Sequence, residues 1–156
     1  MGSVSESAVR ADLHVRSPRW RPIVTGGVII AIADAILFST WWGLQGDSGL
    51  RILQLIAGGL IGREAAFAGG VATMLLGALL HTLIAIAFVA AYALAARVLP
   101  ALLDRAWTFA PLYGVATFLV MTYVVVPLSR LGPPKATPLA WYLANVAFHV
   151  LVVGWA

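Results

Sequence analysis

Four apolar stretches, each about as long as a bilayer is thick, follow one another with only short polar turns between them. That repetition leaves little choice of fold. A helix rises ~1.5 Å per residue, so about 20 apolar residues cross a ~30 Å hydrocarbon core with every backbone hydrogen bond made internally. Of the 156 residues, 62% are hydrophobic and 10% charged. A soluble domain carries about a quarter charged residues, so this chain cannot cover a globular surface with polar groups. The expected fold class is all-α: an integral membrane, four-transmembrane-helix bundle.

The polarity pattern predicts where each element falls. Residues 1–19 are polar and mixed in charge and read as a disordered basic arm, leaving residues 20–156 as the transmembrane domain. The apolar run after the arm is too long for a signal peptide and has no early small-residue cleavage site. The first span is expected over Ile23–Trp42, followed by a polar turn over Gly43–Gly49 in which Asp47 or Ser48 could cap a helix. Residues 50–62 (LRILQLIAGGLIG) are apolar but too short to cross, with Arg51 and Gln54 on one side. This segment is expected to be re-entrant, interfacial or packed on the bundle.

The second span, Ala65–Val98, is longer than a bilayer requires, and Gly69–Gly70 is the expected break. The third runs Trp107–Val126, with Pro127 expected to end it, and a stiff, exposed loop follows over Ser129–Pro138. The fourth runs Leu139–Ala156 and ends without a charged flank, consistent with a short tail. No internal repeat is visible.

Basic residues set the expected orientation. Arg10, Arg16, Arg19, Arg21, Arg97 and Arg105 fall on one side, and Arg51, Arg63, Arg130 and Lys135 on the other. The excess favours both termini in the cytoplasm. The net charge is +4, and Arg10, Arg16, Arg19 and Arg21 gather just before the first span, where anionic lipid explains them without nucleic acid. The chain has no cysteine, which removes disulfides, thiolate metal sites and thiol catalysis.

Three ionisable residues are the leading site candidates. Asp34 lies eleven residues past Ile23, His81 eleven past the Gly69–Gly70 break and His149 ten past Leu139, each roughly 15–17 Å deep. An ionisable side chain at the bilayer centre costs at least about 2.5–3.5 kcal/mol, so something must compensate for Asp34. An Asp–His hydrogen bond that only fixes the bundle is one reading. A site that binds or passes a proton or cation is another, because burial brings acid and base closer in pKa. Two histidines and a carboxylate also suit a divalent metal. A third reading is a redox module with haem b held between His81 and His149. These are on diagonal helices about 14 Å apart if neighbours pack at ~10 Å, and Gly77 would leave room for the ring.

Each span carries one stripe of small and polar residues: Gly27, Ala31, Asp34 and Phe38; Thr73, Gly77 and His81; Tyr113, Thr117 and Met121; Trp141, Asn145 and His149. Such stripes mark interior faces and add Tyr113 and Asn145 to the candidate site. Gly58, Gly62, Ala66 and Gly70 recur every four residues and are expected to pack helices within the chain, in a homodimer, or against a larger membrane complex as an accessory subunit. Arg63–Glu64, at the same junction, reads as an interfacial anchor. No Walker loop, HExxH or GxSxG motif is present, so enzymatic activity is not expected.

The blocks LQLIAGGLIGREAAFAGG and LYGVATFLVMTYVVVPLS, with DAILFSTWWGL and LLGALLHTLIAIAFVAAYALAAR, resemble a group of small bacterial inner-membrane proteins with four helices and no assigned function. The resemblance covers about two thirds of the chain. By that likeness the group's membrane acid falls on Asp34 and its membrane histidine on His81. Tyr113–Gly114 and Pro127–Leu128–Ser129 also match, and His149 and Gly154 fall in its last span. That group's longer basic tail is missing here. The resemblance implies fold and bacterial origin only.

Overall fold

The computed structural model describes residues 20–46, 48–133 and 138–154. The expected N-terminal arm, Asp47, Lys135 and the last two residues lie outside this range. Among the described residues every regular element is a helix, and there is no strand. The elements are α1 (Trp20–Leu44), α2 (Arg51–Ile61), α3 (Arg63–Ala68), α4 (Gly70–Val98) and the short α5 (Ala101–Asp104). Two further helices follow, α6 (Ala106–Leu128) and α7 (Leu139–Val153). Three of these, α1, α4 and α6, are long and apolar enough to cross a membrane. Their outer faces carry rows of large apolar side chains such as Ile29, Ile32 and Ile36 on α1 and Leu75, Leu79 and Leu83 on α4. Such a surface is compatible with lipid and would be costly in water.

Contacts fix the helix register. Helices α1 and α4 run antiparallel, with Gly26 beside Val89, Gly27 against Ile86 and Asp34 against His81. The missing side chain at Gly27 is what allows this approach, since a Cβ there would run into the Ile86 backbone. Helices α6 and α7 are also antiparallel. Gly154 lies on Ala110, Gly114 on His149 and Val150, and the Phe118 ring packs edge-on against Tyr142. Helix α7 closes the ring against α1, with Phe38 on Trp141 and Phe148, and Trp42 on Trp141. Across the remaining side, the Tyr113 hydroxyl donates to the Phe88 carbonyl at 2.6 Å.

The second expected span is divided. The chain breaks at Gly69–Gly70 as its glycines predict, but the residues before the break form the separate helix α3 rather than an extension of α4. Gly70 has φ +57° and Gly62 φ +91°, conformations open to glycine at little cost. The four-residue stripe is therefore not one packing face. Gly58 lies against Leu131 and Ala66, and Ala66 is fully buried, whereas Gly62 and Gly70 serve as turns with open space where a side chain would be.

Two ends also differ from expectation. Helix α6 continues one residue past Pro127 to Leu128 because the backbone widens just before it. A π turn over Met121–Val125 sends the Val126 N–H to the Met121 carbonyl, relieving the clash a proline ring makes with the preceding turn. Helix α7 is described to Val153, shorter than the expected fourth span. Its last residues form a second π turn that opens at His149, with the Gly154 N–H bonded to the His149 carbonyl at 2.9 Å.

Helix α2 packs most closely on α4. A Cβ on Gly77 would strike the Leu53 backbone, and the Arg130 N–H donates to the Gly59 carbonyl at 2.9 Å. The short segment is thus clamped between α4 and the end of α6.

Candidate functional site

Asp34 and His81 meet. The carboxylate Oδ2 of Asp34 lies 3.1 Å from His81 Nε2, joining α1 to α4 at mid-helix. The contact has ion-pair distance without the directionality of a formed hydrogen bond, because His81 Nε2 and Asp34 Oδ1 both lack a hydrogen-bond partner. Asp34 is only 8% exposed, so this carboxylate is nearly desolvated and incompletely satisfied. A charged group in that state costs several kcal/mol or more unless a proton or cation joins it.

His149 stands at the same level. Phe38 packs against Trp141 and Phe148 on one side of Asp34. On the other side, Val152 and Val153 pack against the cluster of Ile30, Ala31 and Ala85. The same antiparallel register puts Asp34 opposite His149, which interacts electrostatically with both Asp34 and His81. His149 Nδ1 is 3.0 Å from the Asn145 carbonyl oxygen, a contact that makes Nδ1 the protonated nitrogen when the ring is neutral. Its ring lies edge-on to Phe118 at 5.6 Å. A π turn starting at a polar residue is a frequent mark of functional sites. Here it coincides with the close seat of the His149 carbonyl on Gly114.

The other candidates divide. Asn145 belongs to the neighbourhood: its backbone carbonyl takes the His149 contact, and its side-chain Oδ1 is buried without a partner. Tyr113 does not join the trio. Its hydroxyl is committed to Phe88, and its ring packs on Tyr92, seven or more residues along α4 from His81. Thr73 and Gly77 face α2 rather than His81.

The space expected for a haem ring at Gly77 is filled by Leu53 of α2, and His81 Nε2 is turned toward Asp34. Among the described residues, no three His, Asp or Glu side chains are grouped as metal ligands.

Two polar features were not anticipated. The Trp42 indole Nε1 is buried without a partner one helical turn beyond Phe38. Separately, Gln54 and Thr73 form a buried knot. Gln54 Nε2 donates to the Gly70 carbonyl at 3.1 Å and to Thr73 Oγ1 at 3.4 Å, and Thr73 Oγ1 donates to the Ala66 carbonyl at 2.6 Å. The signal was Gln54 itself, an amide spaced three and four residues from Ala57 and Gly58 on one buried face.

No protein-family model matches the chain, and neither the curated proteins nor the solved structures include a match.

Proposed function

We propose that the chain is a multi-pass bacterial inner-membrane protein in which the Asp34–His81 pair, with His149 beside it, binds and passes a proton or monovalent cation. The observation that carries this reading is the Asp34 carboxylate, 8% exposed, with Oδ1 unpartnered and Oδ2 3.1 Å from His81. A pair that served only to hold helices together would gain by satisfying both oxygens.

Membrane insertion rests on the length and apolar surface of α1, α4 and α6. Helix α7 is read as a fourth span, because it runs beside α6 from the Tyr123–Tyr142 contact to the seat of Gly154 on Ala110. Helix α2 is read as re-entrant, because Gly49 folds back onto the Ser39 backbone before it begins. In the sequence, the six arginines Arg10, Arg16, Arg19, Arg21, Arg97 and Arg105 on one side against Arg51, Arg63, Arg130 and Lys135 on the other support cytoplasmic termini.

The test is proton flux into liposomes carrying purified protein, driven by a potassium diffusion potential and read with a trapped pH dye. Wild type is expected to conduct and Asp34→Asn to lose the flux while keeping its melting temperature. Equal flux in both, with Asp34→Asn less stable, would overturn the reading and leave the pair as a helix crosslink.

A further inference from the structure

Among the described residues, the buried side-chain polar atoms that find no partner are not scattered. They are Asp34 Oδ1, His81 Nε2, Asn145 Oδ1 and Trp42 Nε1. The helix register orders them along the bundle axis. Asp34 and His81 face each other on α1 and α4. Asn145 lies one turn before His149 on α7 and so falls at the level of Phe38, one turn beyond Asp34 on α1. Trp42 is one turn further, against Trp141. One helical turn is about 5.4 Å, so the three levels span roughly 11 Å and end two residues short of the α1 terminus at Leu44.

The opposite half of the bundle is closed. Toward the start of α1 the pair is backed by Ile30, Ala31 and Ala85, all buried, with Val89, Val152 and Val153 packed against them. Gly27 and Ile86 seal the next turn at backbone contact. A polar atom buried without a partner costs about 1–3 kcal/mol, and native chains hold few of them. Two of them, Asn145 Oδ1 and Trp42 Nε1, lie in file on one side of the Asp34–His81 pair, and the apolar seal lies on the other, which makes an asymmetric path.

We infer that Asn145 and Trp42 line a water-filled half-channel that connects the Asp34–His81 pair to the face at the α1 C-terminus and to that face alone. The channel gives the proposed proton or cation site its direction of access, and so rests on that reading. Its existence is nevertheless measurable without any flux. Water bridging between Asp34 Oδ1 and Asn145 Oδ1 would satisfy both acceptors, and the indole N–H of Trp42 would supply a donor at the mouth. Helix α7 then has to move for the pair to open to the opposite face, and the π turn at His149 is the segment of α7 that lies across the sealed half.

The chain contains no cysteine, so single-cysteine variants report without background. Asn145→Cys would be treated in proteoliposomes with a membrane-impermeant methanethiosulfonate. Gly43→Cys marks the α1 C-terminal face, since a side chain there meets open space. Leu103→Cys, exposed on the short helix α5 before α6, marks the other. The fraction of Asn145→Cys labelled from outside is expected to match that of Gly43→Cys. Ala85→Cys is expected to react about a hundredfold more slowly from either face, because reaching it requires local opening of the packed core. Labelling of Asn145→Cys that follows Leu103→Cys instead, or that is as slow as Ala85→Cys, would overturn the channel. If Asn145→Cys does not fold, Trp42→Cys carries the same comparison. Normal accessibility with no flux would sink the proton-site reading while leaving the channel standing, and flux without accessibility would do the reverse.

Discussion

Thr73→Val should destabilise the protein more than any other single loss of a hydroxyl in the bundle. The Thr73 hydroxyl is almost fully buried and donates at 2.6 Å to the Ala66 carbonyl. That carbonyl lies in the last turn of α3, where a helix runs out of its own donors, and Ala66 has no solvent exposure. The same oxygen accepts from Gln54 Nε2 at 3.4 Å. Valine keeps the shape of threonine and removes both contacts. Gln54 retains its 3.1 Å bond to the Gly70 carbonyl, so the main cost is one buried acceptor left open. That is worth about 2 kcal/mol, or about thirtyfold in the unfolding constant. The control is Thr82→Val on the same helix. Its hydroxyl bonds only the Ala78 carbonyl at 2.8 Å, an acceptor that the helix itself already satisfies, and the expected cost is below about 0.5 kcal/mol. Unfolding in mixed micelles, titrated with a denaturing detergent, reads both. Equal stability of Thr73→Val and wild type, or equal losses in Thr73→Val and Thr82→Val, would refute the view that this hydroxyl caps α3.

Gly77→Ala should separate α2 from α4 and cost about 1–3 kcal/mol by overpacking, because the added Cβ meets the Leu53 backbone rather than a movable side chain; the same detergent titration reads it. Tyr113→Phe should cost about 1 kcal/mol through loss of the Phe88 bond yet leave proton flux in liposomes unchanged, since Tyr113 stands apart from Asp34. A fall in flux would return Tyr113 to the site. Trp141→Ala removes the ring shared by Phe38, Trp41 and Trp42, and should cost about 3–5 kcal/mol, as large-to-small core substitutions of tryptophan do. The residual tryptophan fluorescence should become more accessible to acrylamide, and unchanged quenching would count against the cluster.

The meeting of Asp34 with His81 was legible because depth along an apolar helix follows from residue count, and the two spans had to be antiparallel neighbours. Their opposition to His149 was legible for the same reason. The Gln54–Thr73 knot was not. It depends on α3 being a separate helix, and a continuous apolar run from Ala65 to Val98 gives no periodicity from which that division can be read. Small residues at four-residue spacing promised one continuous face, but two of the glycines turned out to be needed for positive φ, which sequence spacing alone does not distinguish from packing. The π turns were invisible for a related reason. Each inserts one residue's worth of backbone into a helix whose composition stays uniformly apolar, and only Pro127 gave a local cause for either.

The contrast between the two buried polar clusters supports the assignment of roles. Both lie in low-dielectric surroundings, where an unpaired polar atom is most costly. At the α2–α4 contact the chain pairs Gln54 and Thr73 with each other and with the two backbone carbonyls of Ala66 and Gly70. The cluster gains rigidity and holds a glycine break in place. Around Asp34 the same chain leaves the carboxylate, the imidazole, the Asn145 amide and the Trp42 indole each with an atom unpaired. Nothing in the sequence prevented satisfaction there. A serine or threonine in place of Ala31 or Ala85, both of which pack within a turn of the pair, would bring a donor to Asp34 Oδ1. On the proposed reading, apolar residues at those positions leave the acid to be satisfied by a proton or cation, which a helix crosslink would not require.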